Sequence, residues 1–393
     1  MYLFNPDNDL ALANFSTNYT PPTAARKIAR DLAVLPVWYG VDNAMVVAEG
    51  KENELFLSRL KELLPIKSTL ISFSELPQFP EEKIIPWGWS PLLRKKLLSA
   101  GVREERLPSI EELRQLRHDS GRQHAVRMLR ELKALRNNFC GESHFFDNVE
   151  DLTDYLSTEI YSVLKMPNSG SGKGLVWIID KITDKQTDWC RRVIHEQGGV
   201  VAEPVLKKTV DFAMEFELHE GNSTFKGYSL FQSAASGAYM GNSLLSDKEI
   251  ENRLSQFISV ETLRWLTDVY LRKLPEYFPH YTGILGVDMM VCETGQGHQI
   301  QPCVEMNLRM NMGVVARIFY DRFVSSGSVG EYRVDFFKKR GEAFRFQEEN
   351  RKKFSLKIEN GKIISGFLSL TPVLESTNYA AWAVIEKTTP SDQ

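Results

Sequence analysis

Short apolar runs alternate with amphipathic segments over residues 1–117. The apolar runs, which predict buried strands, are 2–4, 34–39, 44–48 and 69–73. The amphipathic segments, whose apolar residues recur at helical spacing and predict helices, are 23–32, 52–64 and 91–100. Strands and helices that alternate in this way are typical of an α/β domain with a mainly parallel sheet.

Two strand-like runs later in the chain predict a hairpin. The first contains Asp288, and the second follows a glycine-rich turn and ends in Glu305. Pairing can bring Asp288 beside Glu305 and Asn307, and the last two share one face because side chains alternate along a strand. Two carboxylates and an amide suit Mg²⁺ shared with phosphate oxygens. Arg309, on the same predicted face, can hold an anion bidentately. The alternative is a set of solvated residues at a strand end.

A glycine-rich segment, 168–174, separates two further predicted strands, and Lys165 ends the first of them. Free backbone N–H groups in such a loop can cover phosphates. The segment departs from a P-loop, because Gly174 follows Lys173 and Pro167 stands where the first glycine is needed. It also departs from the dinucleotide-binding pattern, since a strand rather than a helix follows. A phosphate-covering flap and an ordinary glycine hairpin both remain open.

A third motif lies where an apolar strand runs into Glu203, Pro204 and Val205. Proline ends a strand ladder, so the backbone at this point is available to pair with an adenine ring. Asp211 follows closely enough to reach ribose hydroxyls. The alternative is a purely structural strand end.

In this order, the three motifs resemble the ATP-grasp superfamily of carboxylate–amine and carboxylate–thiol ligases, over residues 118–325. The resemblance implies an α/β protein with α+β lobes, in which an N-terminal α/β pre-ATP-grasp domain precedes a two-lobed ATP-grasp fold. The implied domains are the pre-ATP-grasp domain at 1–117, the small lobe with the flap at 118–205, the large lobe with the metal site at 206–330, and a C-terminal extension with a β-hairpin at 331–393.

The resemblance also implies roles for individual residues. The implied catalytic residues are Lys165 and Arg309. The residues implied to contact ATP are Arg122, Lys165, Ser169, Gly170, Gly172, Lys173, Glu203, Val205 and Asp211. The implied magnesium ligands are Asp288, Glu305 and Asn307. Arg122 stands where the family usually carries a lysine, and its guanidinium can also serve an anion.

The function implied by the resemblance is a Mg²⁺-dependent ligase that uses ATP. It would activate a small-molecule carboxylate as an acyl phosphate, which an amine or thiol substrate then attacks. Two alternatives remain: a non-catalytic ATP-binding module, and a small-molecule kinase on the same fold. Retention of Asp288, Glu305 and Asn307 favours catalysis, because an inactive relative is expected to lose a carboxylate.

Composition narrows the classes of partner. The chain of 393 residues has a formal net charge of −3, which argues against a nucleic-acid-binding surface. It has no run of 18 apolar residues and no basic leader at its start, so we expect neither a membrane span nor a secretory signal. Its four scattered cysteines predict reduced core residues. We therefore expect a cytoplasmic protein, with the choice between a monomer and a homodimer open.

Four further segments carry weaker signals. The segment 4–11, rich in Asn and Asp, follows the first predicted strand, where open α/β sheets bind ligands, although a solvated turn has the same composition. Trp87 and Trp89 flank a glycine and fit either an acceptor pocket or interdomain packing. The basic residues near 124–130 form either an anion patch or a solvated helix face. Asn-Gly at 360–361 predicts a tight hairpin.

Overall fold

The computed structural model describes residues 1–159, 161–170, 174–234 and 237–388. The strands are β1 (Tyr2–Leu3), β2 (Met45–Val47), β3 (Thr69–Ile71), β4 (Ile85–Pro86), β5 (His144–Phe146), β6 (Tyr161–Lys165), β7 (Leu175–Ile179), β8 (Val200–Pro204), β9 (Lys207–His219), β10 (Asn222–Ser233), β11 (Tyr239–Leu244), β12 (Gly283–Thr294), β13 (Gly297–Asn307), β14 (Ser328–Phe336), β15 (Lys357–Glu359), β16 (Lys362–Ser369) and β17 (Tyr379–Lys387).

The α-helices are α1 (Asn8–Asn14), α2 (Thr23–Asp31), α3 (Lys51–Leu63), α4 (Pro91–Ser99), α5 (Ile110–Asp119), α6 (Gln123–Leu135), α7 (Val149–Thr158), α8 (Asp184–Gln197), α9 (Asp247–Leu254), α10 (Val260–Tyr277), α11 (Met312–Phe323) and α12 (Glu342–Lys353). Short 3₁₀ helices cover Leu35–Val37, Phe73–Gln78 and Glu104–Arg106. The chain divides into two compact units. The first comprises Met1–Leu113, Met240–Ile250 and Arg309–Gln393, and the second comprises Arg114–Tyr239 and Glu251–Leu308.

The first unit begins with a parallel sheet in the order β3-β2-β1-β4. Its core includes Leu3, Val47, Ile71 and Leu97, all of them buried. Helices α2, α3 and α4 coincide with the predicted helices to within one residue at each end. The predicted α/β class with a parallel sheet is thus confirmed.

One predicted strand, at 34–39, is wrong. The segment is a 3₁₀ turn at Leu35–Val37, because Pro36 has no N–H group to donate to a strand ladder. Its apolar character reflects burial instead, since Trp38 is fully buried and its Nε1 donates to the carbonyl of Leu370 at 2.6 Å. An apolar run without alternation does not by itself distinguish a strand from a buried turn.

The remainder of the first unit contains antiparallel strands in the order β11-β14-β17-β16-β15. The hairpin predicted from Asn-Gly is confirmed, because β15 and β16 pair across Asn360 and Gly361. Both residues have positive φ, 51° and 73°, as a two-residue turn of this kind requires.

The second unit contains two antiparallel sheets. The smaller has the order β5-β8-β6-β7, and its core includes Leu164, Ile178 and Val200. The larger has the order β13-β12-β9-β10 and carries the predicted hairpin as β12 and β13. All four cysteines are free and buried, which confirms their predicted core role. Across the described residues, no helix has the combined length and apolar character needed to cross a bilayer.

Candidate active site

The predicted hairpin brings the three candidate magnesium ligands together. Asp288 on β12 lies directly opposite Glu305 on β13, and Asn307 lies opposite Gly286. Asn307 Nδ2 donates to Asp288 Oδ2 at 3.1 Å, so the two side chains meet on one face of the sheet. Carboxylate and amide oxygens form the kind of ligand set that Mg²⁺ prefers, and the residues present therefore fit this ion.

Glu215, on β9, extends this polar face and was not predicted as a site residue. It lies opposite Gly286, on the other side of β12 from Asn307, so both side chains project to the same face as Asp288. Glu215 is only 1% exposed. A carboxylate within the otherwise apolar stretch of β9 was the available signal. Gly286, which has no side chain, lies between Glu215 and Asn307.

Arg122 links the metal-ligand candidates to the glycine loop. Its Nη2 donates to Glu305 Oε1 at 2.8 Å, and its Nη1 donates to the carbonyl of Met166 and to Ser169 Oγ at 2.6 and 2.8 Å. The backbone N–H of Arg122 also donates to the carbonyl of Pro167 at 3.0 Å. Arg122 is 7% exposed. A nearly buried guanidinium thus contacts both the glycine-rich segment, at Ser169, and the predicted magnesium ligand Glu305.

Lys165 and Glu203 form a buried ion pair between neighbouring strands. Lys165 Nζ lies 2.6 Å from Glu203 Oε2, and Ser143 Oγ donates to Glu203 Oε1 at 3.0 Å. The two residues are only 7% and 5% exposed. The Glu203 carboxylate therefore orients Lys165, and the predicted contacts of Lys165 with phosphate and of Glu203 with adenine stay predictions.

The strand predicted to run into Glu203 and Pro204 is present, but the backbone N–H of Val205 already donates a hydrogen bond. Strand β8 ends at Pro204, and the amide of Val205 donates to the carbonyl of Tyr161 at 3.0 Å. That N–H is consequently not available to an adenine ring. Asp211 lies on β9, where its Oδ2 accepts from Lys208 Nζ and from Ser233 Oγ.

The structure describes only the ends of the glycine loop. Ser169 and Gly170 precede its central part, and the predicted ATP contacts Gly172 and Lys173 lie outside the described residues. The strands flanking the loop pair as predicted, with Lys165 opposite Leu175. The amide of Met166 donates to the carbonyl of Gly174 at 3.0 Å, which closes the base of the loop.

Arg309 does not continue the face of β13, as the sequence pattern suggested. Strand β13 ends at Asn307, so the alternation of side chains stops before Arg309. Arg309 belongs to the first unit, where its Nε donates to Asp9 Oδ1 at 2.6 Å. Its predicted contact with the transferred phosphate stays a prediction.

The segment predicted as a loop after the first strand is partly helical, because Asn8 and Asp9 begin α1. Its first part contacts the tryptophan loop within the first unit. Asn5 Nδ2 donates to the carbonyl of Gly88 at 2.7 Å, and Trp87 is buried edge-on against Phe4. These contacts join the carboxyl ends of β1 and β4. Trp87 therefore has a packing role inside this unit.

Cys303 lies near the site but cannot serve as a ready nucleophile. Burial raises the pKa of its thiol well above the usual range, and the nearby charges of Glu203 and Asp288 raise it further. A thiol is a much weaker nucleophile than a thiolate. Burial therefore disfavours the Cys303 thiol as a nucleophile.

No protein-family model and no curated protein matches this chain. Solved structures do match in fold. Biotin carboxylase from Campylobacter jejuni aligns with 98% of this chain and 87% of its own, at 9% identity and a TM-score of 0.54. The biotin carboxylase domain of 2-oxoglutarate carboxylase from Hydrogenobacter thermophilus, solved with MgADP, ADP and bicarbonate, aligns with 88% of this chain and 86% of its own, at 10% identity and a TM-score of 0.51. These are ATP-grasp proteins. The chain has the ATP-grasp fold.

A third ATP-grasp structure gives the same result. N5-carboxyaminoimidazole ribonucleotide synthetase from Thermus thermophilus aligns with 93% of this chain and 92% of its own, at 12% identity and a TM-score of 0.50. The ATP-grasp fold inferred from the order of the three motifs is confirmed, together with its N-terminal α/β domain.

Proposed function

We propose that this protein is a Mg²⁺- and ATP-dependent ligase that joins a small-molecule carboxylate to an amine or a thiol. The observation that carries the proposal is the pairing of Asp288 with Glu305, with Asn307 beside them and Arg122 bound to Glu305, inside an ATP-grasp fold. The presence of Asp288, Glu305 and Asn307 together supports catalysis over binding alone, because an inactive relative is expected to lose a carboxylate.

The reaction has two chemical steps. A carboxylate oxygen of the first substrate attacks the γ-phosphorus of ATP, the bond from that phosphorus to the bridging oxygen breaks, and ADP leaves. The amine or thiol then attacks the acyl carbon, a C–N or C–S bond forms, the C–O bond to phosphate breaks, and inorganic phosphate leaves. The proton of the amine or thiol passes to solvent or to a nearby base.

The protein's part in this chemistry is binding and charge neutralisation. Arg122 and Lys165 supply positive charge for the phosphates, while Asp288, Glu305 and Asn307 would hold magnesium. When bound, Mg²⁺ supplies Lewis-acid stabilisation of phosphoryl oxygens. Glu215 lies on the same face and either adds a metal ligand or positions one.

For adenine, Leu206 is a better backbone donor than Val205. The amide of Val205 donates to Tyr161, whereas the hydrogen bonds of the described residues include none from the amide of Leu206. Leu206 follows Pro204 outside any strand, at the point where β8 has ended. We assign the adenine contact to this backbone and the ribose contact to Asp211.

We propose a ligand-binding edge within the first unit itself. Its parallel strands β1 and β4 end beside the segment 5–9, and ligands of open α/β sheets bind at the carboxyl ends of strands.

A mass-spectrometric screen of carboxylates paired with amines or thiols, with ADP release as the readout, tests the proposal. We expect one pair to give a condensed product together with ADP and phosphate. A phosphorylated substrate that accumulates instead would identify a kinase. ATP binding without ADP release from any pair would identify a binding module.

Glu305→Gln provides the matching genetic test. It should reduce turnover at least about 10²-fold, as loss of a preorganised electrostatic group does. Glu293→Gln is the control, because Glu293 lies on the same hairpin, is exposed and pairs with Lys207. Equal activity of the two variants would contradict the metal assignment.

A further inference from the structure

A second cluster of metal-ligating side chains lies at the corner between α5 and α6. His118 and Asp119 end α5, and His124 lies at the start of α6. One potential ligand atom from each of the three lies within 4.8 Å of the others, and this is the single such group found among the described residues. His118 Nδ1 lies 3.3 Å from Asp119 Oδ1, and the two imidazole centroids are 5.0 Å apart.

The chemical state of His124 suits a metal ligand. Its Nε2 is buried and has no hydrogen-bond partner among the residues that the structure describes, although buried polar atoms in proteins almost always have one. The ring packs against Phe278, with centroids 5.6 Å apart.

The other two residues supply a fixed and an adjustable ligand. Asp119 is 7% exposed, and its Oδ1 accepts from Gln115 Nε2 at 2.9 Å, which holds the carboxylate in place. The side chain of His118 is 62% exposed and can rotate. Zinc ligands at about 2.0–2.2 Å in a tetrahedron lie roughly 3.4 Å apart, so from separations within 4.8 Å a shift of at most about 1.4 Å would close the site.

The positive residues around the cluster have partners elsewhere. Arg127 Nε donates to Glu131 at 3.0 Å, Arg122 pairs with Glu305, and Arg117 Nη2 donates to the carbonyl of Glu196. The charges of Arg127 and Arg122 are therefore partly offset by carboxylates, and the Asp119 carboxylate remains to favour a cation.

We propose that His118, Asp119 and His124 bind a divalent transition metal of the zinc class, at a site separate from the magnesium ligands. Two imidazoles and one carboxylate form a ligand set typical of zinc, with a fourth position left for water. The metal would tie the end of α5 to the start of α6 across the turn that carries Arg122.

The test is zinc titration of the full-length protein after dialysis against a chelator. Calorimetry should show one zinc ion per chain, and cobalt substitution should give the visible absorption bands of a four-coordinate site. His118→Ala should weaken binding by at least about 10- to 100-fold, the range found even for loss of outer-shell partners. Because His118 is exposed, this variant should remain folded; circular dichroism checks that it does.

Two controls make the result decisive. His280→Ala removes another exposed histidine of the same unit and should leave zinc binding unchanged. Glu305→Gln should also leave it unchanged, whereas a loss in Glu305→Gln would mean that zinc occupies the magnesium ligands and would overturn the proposal. Equal binding by the wild type and His118→Ala, or a stoichiometric loss in His280→Ala, would overturn it as well.

Discussion

Replacement of Lys165 by methionine should destabilise the small sheet of the second unit. Lys165 Nζ lies 2.6 Å from Glu203 Oε2, and both residues are more than nine-tenths buried. At this distance and an effective dielectric constant of about 20, their Coulomb attraction is about 6 kcal/mol before the cost of desolvation. Methionine would leave the Glu203 carboxylate buried with Ser143 as its remaining hydrogen-bond partner among the described residues, and breaking a buried pair in this way costs about 3–5 kcal/mol.

Hydrogen exchange measured peptide by peptide is the assay, because it reports the opening free energy of β6 and β8 directly. At about 1.4 kcal/mol per factor of ten, the loss should speed exchange there by about two to three and a half orders of magnitude. Peptides from α3, in the first unit, provide the internal control and should be unaffected.

The double variant Lys165→Met with Glu203→Gln separates stability from catalysis. It removes both charges and should restore most of the lost protection, while turnover stays abolished because Lys165 is the proposed phosphate contact. Destabilisation below about 1 kcal/mol in Lys165→Met would indicate a solvated pair of little energetic weight. Failure of the double variant to recover would likewise refute the reasoning.

Three further predictions concern the nucleotide. Mg-ATP at 100 times its dissociation constant should raise the free energy of unfolding by about 2.7 kcal/mol. Thermal melts should show this as a higher melting temperature, and a chelator of Mg²⁺ should abolish the increase. Identical melting curves with and without Mg-ATP would argue against binding. Arg122→Lys keeps the charge but cannot reproduce the three hydrogen bonds that the guanidinium donates. The dissociation constant for ATP, measured by calorimetry, should therefore rise about tenfold, which corresponds to about 1.4 kcal/mol. An unchanged dissociation constant would mean that Arg122 does not contribute to ATP binding. Hydrogen exchange across 168–174 should slow when ATP binds. Protection that is already high without nucleotide would indicate a structural hairpin instead. Gly172→Val should weaken ATP binding more than it weakens folding.

The features that could be predicted from sequence are those set by local pattern. The hairpin of β12 and β13 follows from two apolar runs around a glycine-rich turn, and pairing across that turn places Asp288 opposite Glu305. The turn between β15 and β16 was also predictable from a local pattern, because Asn360 and Gly361 tolerate the positive φ that such a turn requires. The ATP-grasp fold followed from the order of such motifs.

The features that sequence reasoning missed depend on contacts between distant segments. The link from Arg122 to Glu305 joins residues 183 positions apart, and no local pattern encodes it. Glu215 belongs to the site only because β9 pairs with β12, which places it opposite Gly286. The face expected for Arg309 was wrong because alternation holds only within a strand, and β13 ends two residues earlier.

The central claim is that ATP activates a carboxylate as an acyl phosphate. The most direct measurement uses the carboxylate found by the substrate screen, labelled with ¹⁸O in both oxygens, and follows the label by mass spectrometry of the released phosphate. Transfer of one carboxylate oxygen to phosphate during ligation predicts one ¹⁸O atom in each phosphate. Phosphate that carries no ¹⁸O, while ADP and the condensed product still form, would contradict the account.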